Sequence, residues 1–145
     1  MKKLLSVLAL STMITPVMAG NVNVKMWTIS PSGEKNVFSP NFVKINIDDT
    51  ITFVSTQKTH NSTSLKKTLP KGAKKWKSKI NKDLTVTFKT EGLYGYKCTP
   101  HAGLGMVGIV QVGKAINKKK FAKGMKKIPG KGKKLMKKLF AENVK

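Results

Sequence analysis

Cys98-Thr99-Pro100-His101-Ala102-Gly103-Leu104-Gly105-Met106 is the stretch on which the rest of the chain is organised. It lies between two β-rich runs, Leu93 to Cys98 and Val107 to Val112, so it reads as a loop joining two strands. It holds the only cysteine, one of two histidines and a methionine within nine positions. Glycines at 103 and 105 let so short a loop turn back, and positions 98, 101 and 106 can then converge on one point.

Taken singly, these residues read blandly. A lone cysteine is more often a small buried apolar residue than a ligand, and a methionine at a strand edge is more often packing. Together they form a coherent donor set: a thiolate, an imidazole and a weaker thioether. Such a set suits copper, which binds thiolate tightly and tolerates a thioether as a long fourth contact. Zinc would take a further histidine, cysteine or carboxylate in that place. A trigonal His₂Cys plane lacks one imidazole, and the remaining histidine is His60. Cys98, His101 and His60 in the plane with Met106 axial describe a blue-copper electron-transfer site. Asn61 is placed to tie the His60 loop to the Cys98 loop.

Working outward, the runs at Val22–Ile29, Val37–Phe38, Phe42–Ile47, Ile51–Val54 and Leu84–Phe88 read as further strands. Ser30-Pro31-Ser32-Gly33, Asp48-Asp49 and Glu91-Gly92 supply turns, and Pro40 marks a break. Leu65 to Lys79 is irregular, with Trp76 and Ile80 expected as core anchors and a short helical turn near Ala73–Trp76. The Tyr94 hydroxyl, just after a turn, is expected to make a tyrosine-corner hydrogen bond. Many short strands at turn-bounded spacing predict an all-β, Greek-key sandwich with the ligand loops at one end.

The ends of the chain differ in kind. Lys2 and Lys3, the apolar run from Leu4 and the Val17-Met18-Ala19 site read as a cleaved signal peptide over residues 1–19. The run is too short and interrupted for a membrane span, so export to the periplasm is expected. A single cysteine in an exported chain cannot close an internal disulfide, and ligation to a metal accounts for it. Residues 20–113 read as the copper-binding domain. Residues 114–145 read as a basic extension of two helices, over 117–125 and 131–143, parted by Pro129-Gly130. Leu135, Met136, Leu139 and Phe140 make one apolar stripe opposite a lysine face, which can also read as a membrane-surface segment; docking on the sandwich as a cover is the preferred expectation.

Removal of the first nineteen residues leaves 126, with 27 of the 29 lysines against six acids, a formal +21. Every basic residue is lysine. A nucleic-acid reader would use arginine for bidentate contacts, so the charge reads as solubility plus attraction to acidic redox partners. The outer edge of His101, flanked by Pro100, Ala102 and Leu104, is expected to open on an apolar patch through which the electron passes. An enzyme reading fails because a second metal site would need histidines beyond the two already used. A periplasmic copper-delivery protein is the alternative, but delivery favours exposed Met/His clusters over one closed set. A cationic lipid- or nucleic-acid-binding protein would leave the donor set without a purpose.

Phe53 through His60-Asn61, KSKIN at 77–81, VTF at 86–88 and YGYKCTPHAGLGMVGIVQVG at 94–113 resemble the pseudoazurins, over about the whole mature chain. Plastocyanins are similar in the ligand loop, but most lack the two-helix extension. The resemblance implies a cupredoxin sandwich with one type 1 copper held by His60, Cys98, His101 and Met106. It also implies a soluble periplasmic shuttle; a monomer without stable membrane insertion is expected alongside it. Such shuttles serve copper nitrite reductase or another denitrification enzyme and are fed by a cytochrome or quinol-linked donor. The lysine load, including Lys66, Lys67, Lys118, Lys119 and Lys120, is heavier than the family's.

Overall fold

In a computed structural model, which describes residues 20–145, eight strands form two four-stranded sheets packed face to face. The signal-peptide reading falls on residues 1–19, outside the described residues. The strands are β1 (Asn21–Ile29), β2 (Lys35–Ser39), β3 (Phe42–Ile45), β4 (Thr50–Val54), β5 (Thr63–Ser64), β6 (Leu84–Thr87), β7 (Gly92–Lys97) and β8 (Val107–Val112). One sheet runs β2-β1-β4-β6 and the other β3-β8-β7-β5, so the expected sandwich is the fold.

In β1 the inward side chains Val22, Val24 and Met26 alternate with exposed Asn21, Asn23 and Lys25, as a strand with one wet face requires. They meet Phe38, Ile51 and Phe53 of their own sheet and Val43, Ile45, Tyr94, Tyr96 and Val110 of the facing one. β7 and β8 show no alternation: Leu93 to Tyr96 and all of Val107–Val112 are buried. The reason is a second core on the outer face of that sheet. There Leu93, Val107 and Ile109 pack under Phe121, Met125, Met136 and Leu139 of α1 (Lys118–Met125) and α2 (Gly130–Asn143). Removing a side chain such as Phe121 or Met136 from water stabilises the fold by about 1.5–3 kcal/mol, which is why the stripe docks. Phe121 and Phe140 stack across the helix pair, with ring centroids 5.5 Å apart.

Asn117 does not cap α1 with its side chain. Its amide accepts from the Leu93 N–H at 2.7 Å and donates to the carbonyls of Leu93 (3.0 Å) and Thr68 (2.9 Å), pinning the start of α1 to β7. The Tyr94 hydroxyl donates to the Thr90 carbonyl, as its position after the turn suggested.

Three local readings change. β3 ends at Ile45, leaving Ile47 exposed in the turn. Ile80, expected in the core, is 45% exposed, whereas Trp76 is buried and donates its indole N–H to Ser62 Oγ at 2.9 Å. The indole packs against Phe53 and Phe88 in the core, whereas Ile80 borders an open groove with Thr99 and Pro100. The helical turn of the irregular excursion falls at Lys66–Thr68 rather than near Ala73. There the Thr68 hydroxyl accepts from the Gly95 N–H and ties the excursion to β7.

Candidate metal centre

The antiparallel pair β7–β8 delivers two residues to one end of the sandwich. Cys98 follows the last residue of β7 and Met106 precedes the first of β8, and the Cys98 N–H donates to the Met106 carbonyl at 3.0 Å. Within the loop, the N–H groups of Leu104 (3.0 Å) and Met106 (3.1 Å) converge on the His101 carbonyl. Gly105, at φ +109°, turns the chain there at little cost, since it lacks a Cβ. His60 arrives separately, on the crossing between β4 of one sheet and β5 of the other. Both sheets therefore contribute to the cluster.

His60, Cys98 and His101 meet in the way their types suggested, and Met106 lies buried where the same loop returns to β8. His60, Cys98 and Met106 are fully buried and His101 is half-buried. His60 Nδ1 lies 3.1 Å from His101 Nδ1, and Cys98 Sγ lies 3.8 Å and 3.6 Å from these two nitrogens. Two imidazole lone pairs so close need a proton or a cation between them. The point equidistant from the three atoms is about 2 Å from each, a metal–ligand bond length. The donor set therefore fits a metal ion, and its softness fits copper.

The surrounding groups set protonation. Burial, with His101 beside it, holds the His60 imidazole below its ordinary pKa, so the neutral, ligating form is favoured. The Thr28 hydroxyl donates to the Lys58 carbonyl (3.4 Å) and lies 2.9 Å from His60 Nε2. Its lone pair is thus free to accept the Nε2–H, which leaves Nδ1 as the ligand atom. Burial pushes the Cys98 thiol up, while the N–H groups of Asn61 and His101 directed at the sulfur oppose that rise. A metal ion supplies the positive charge that a buried thiolate otherwise lacks. The sequence reading missed Thr28. The available signal was its place in the parity of Val22, Val24 and Met26, a polar residue continuing an inward-facing set.

Asn61 joins the two ligand loops. Its Oδ1 accepts from the Thr99 N–H at 2.7 Å, and its Nδ2 donates to the Ser78 carbonyl (3.2 Å) and to Thr99 Oγ1 (3.1 Å). Outside the cluster, Pro100, Gly103 and Leu104 are exposed around His101, with Leu104 at 58%. Ala102, expected in this apolar patch, is instead buried under α2. Ile80, Pro100 and Thr99 border a groove of about 550 Å³ with Lys77 and Lys79 at its walls. Lys67, Lys119, Lys120, Lys123 and Lys127 line another of about 490 Å³. Among the described residues only Lys89–Asp48 (2.7 Å) and Lys138–Glu142 (4.0 Å) form ion pairs, so nearly all the lysine charge faces solvent.

A closed cluster of two histidines and a cysteine at the end of a Greek-key sandwich, with a buried methionine ending its loop, has the make-up of a blue copper protein of the cupredoxin type. The chain belongs to the plastocyanin/azurin family of copper-binding proteins, whose family model matches residues 18–113, and within it to the pseudoazurins. It is 48% identical over 107 residues to a pseudoazurin of Paracoccus pantotrophus, covering 74% of this chain and 73% of that one. The structure of a Sinorhizobium pseudoazurin superposes with a TM-score of 0.80 at 41% identity, covering 86% of this chain and 96% of the other. That of Hyphomicrobium denitrificans pseudoazurin gives 0.77 at 36% identity, covering 87% and 100%. Copper is accordingly the cofactor, and the protein is an electron carrier rather than an enzyme.

Proposed function

We propose that this chain is a soluble, monomeric periplasmic electron carrier holding one type 1 copper through His60, Cys98, His101 and Met106. It donates electrons to a denitrification enzyme such as copper nitrite reductase and is recharged by a cytochrome or quinol-linked donor. The observation that carries His60, Cys98 and His101 is the triangle of two imidazole nitrogens and one thiol around a common centre, and Met106 joins them as the buried soft donor that ends the same loop. Export rests on the leader-like residues 1–19, and a mature chain recovered from the periplasm with Gly20 at its N-terminus tests it.

When bound, copper supplies a one-electron couple between Cu(II) and Cu(I). The chain's own part is to keep the ligands still as the charge changes. Cys98, His101 and Met106 sit on a loop closed by its own backbone hydrogen bonds, and Asn61 locks that loop to His60. A site that moves little when the electron passes transfers it with little reorganisation. Pro100 and Leu104 form a small apolar rim beside the partly exposed His101, where a partner can approach closely. The unpaired lysines around it draw in an acidic partner quickly and, because the rim is small, release it readily.

The deciding experiment is the visible spectrum of the copper-loaded protein. The wild type should show an intense thiolate-to-copper charge-transfer band, and Cys98→Ser should lose it. A Cys98→Ser protein that stays blue refutes the ligand set.

A further inference from the structure

The C-terminal helices cover an apolar sheet face, but α2 also does something its apolar stripe does not require. Its first turn, Gly130-Lys131-Gly132, lies against the ligand loop itself. A Cβ placed on Gly132 would come 2.2 Å from the Ala102 carbonyl oxygen and 3.2 Å from its carbon. A Cβ on Gly130, whose φ is +52°, would come 2.7 Å from the Gly103 carbonyl oxygen. Between them, the Lys131 Cβ sits 3.8 Å from where a Gly105 side chain would begin. Three successive helix residues thus line the loop between His101 and Met106, with Gly130 and Gly132 against the Gly103 and Ala102 carbonyls and Lys131 facing Gly105.

The contact at Gly132 admits no other residue without movement, because its neighbour is backbone rather than the end of a flexible side chain. Packed interiors transmit such a displacement instead of absorbing it. The atom that would be displaced matters: the Ala102 carbonyl accepts the Gly105 N–H at 3.1 Å, the hydrogen bond that turns the loop from His101 toward Met106.

We propose that the first turn of α2 is the outer wall of the ligand loop and sets the spacing of His101 and Met106, with Gly132 as the positioning residue. The inference rests on the copper reading above and concerns residues outside the donor set. On this view the extension tunes the electron carrier as well as stabilising it.

Gly132→Ala is compared with Gly124→Ala. The control is matched in tightness, because a Cβ on Gly124 would come 2.4 Å from the Lys67 carbonyl oxygen, but it lies on α1 against the Lys66–Thr68 turn instead of the ligand loop. In copper-loaded protein, Gly132→Ala should shift the charge-transfer band and the reduction potential, while Gly124→Ala should lose stability and keep both. In metal-free protein, amide hydrogen exchange over residues 102–106 should quicken about tenfold in Gly132→Ala and stay unchanged in Gly124→Ala. If Gly132→Ala does not fold, Lys131→Gly adds no bulk, and it should quicken exchange at Gly105 and Met106. Wild-type band, potential and loop exchange in Gly132→Ala would overturn the proposal, as would equal shifts in both glycine variants or unchanged exchange in Lys131→Gly. A wild type that binds copper without the band would overturn the copper reading itself, while exchange in the metal-free chain still reads the wall.

Discussion

Asn61→Ala removes the side chain that joins the two ligand loops, and its cost follows from the partners it leaves. The Ser78 carbonyl is buried and loses a donor at 3.2 Å, and a buried polar group left without a partner costs about 1–3 kcal/mol. The Thr99 N–H loses an acceptor at 2.7 Å, but Thr99 is exposed and water replaces it, so only a net hydrogen bond of about 0.5–1.5 kcal/mol is lost. The sum is about 1.5–4.5 kcal/mol, a large share of the 5–15 kcal/mol typical of a domain. Urea unfolding of the metal-free protein measures it, read as a lower midpoint at unchanged slope. Asn61→Asp keeps the Oδ1 acceptor for Thr99 and loses only the donors, so it should still forfeit the Ser78 partner. Copper should also leave Asn61→Ala faster when challenged with a chelator, because the His60 and Cys98 loops can then part. A loss below about 0.5 kcal/mol, the range of a neutral surface change, together with wild-type copper release, would refute the reasoning.

Three further outcomes follow from the same geometry. Met106→Leu should keep copper and raise the reduction potential, because a donor that favours Cu(II) is gone; an unchanged potential in voltammetry would remove Met106 from the ligand set. Burial holds His60 below its ordinary pKa, so the unfolded chain binds its proton first as pH falls. Metal-free protein should therefore lose stability progressively as pH drops through about 6.5, the unfolded value, and His60→Gln should flatten that part of the denaturation profile. Electron transfer to an acidic partner should slow with added salt while self-exchange quickens, since charges are screened over roughly 8–10 Å at physiological ionic strength. In that assay Lys58→Gln, two residues from His60, should slow the partner reaction more than Lys145→Gln at the chain end, and equal losses would leave these lysines no docking role.

What a reader of the chain alone can recover is whatever is periodic or chemically singular. Val22, Val24 and Met26 alternate because a half-wet strand has a period of two. Leu135, Met136, Leu139 and Phe140 recur because a helix covers a core with one stripe. Cys98, His101 and Met106 stand out as three donor types in nine residues, and His60 as the single imidazole left over. Each of these signals is local, so it survives without coordinates. The parallel pairings of β1 with β4 and β3 with β8 have no local signature, since they depend on which distant strands become neighbours. Ile80 reads as core by type but borders an open groove beside Thr99 and Pro100, while Trp76 of the same excursion is buried, a division decided only by how the excursion packs. Thr28 becomes the partner of His60 only once β1 ends beside the crossing from β4. Gly132 reads in the sequence as a weak point in a helix; in three dimensions it is the place where the helix meets the Ala102 carbonyl, because the absence of a Cβ matters only when another backbone fills the space.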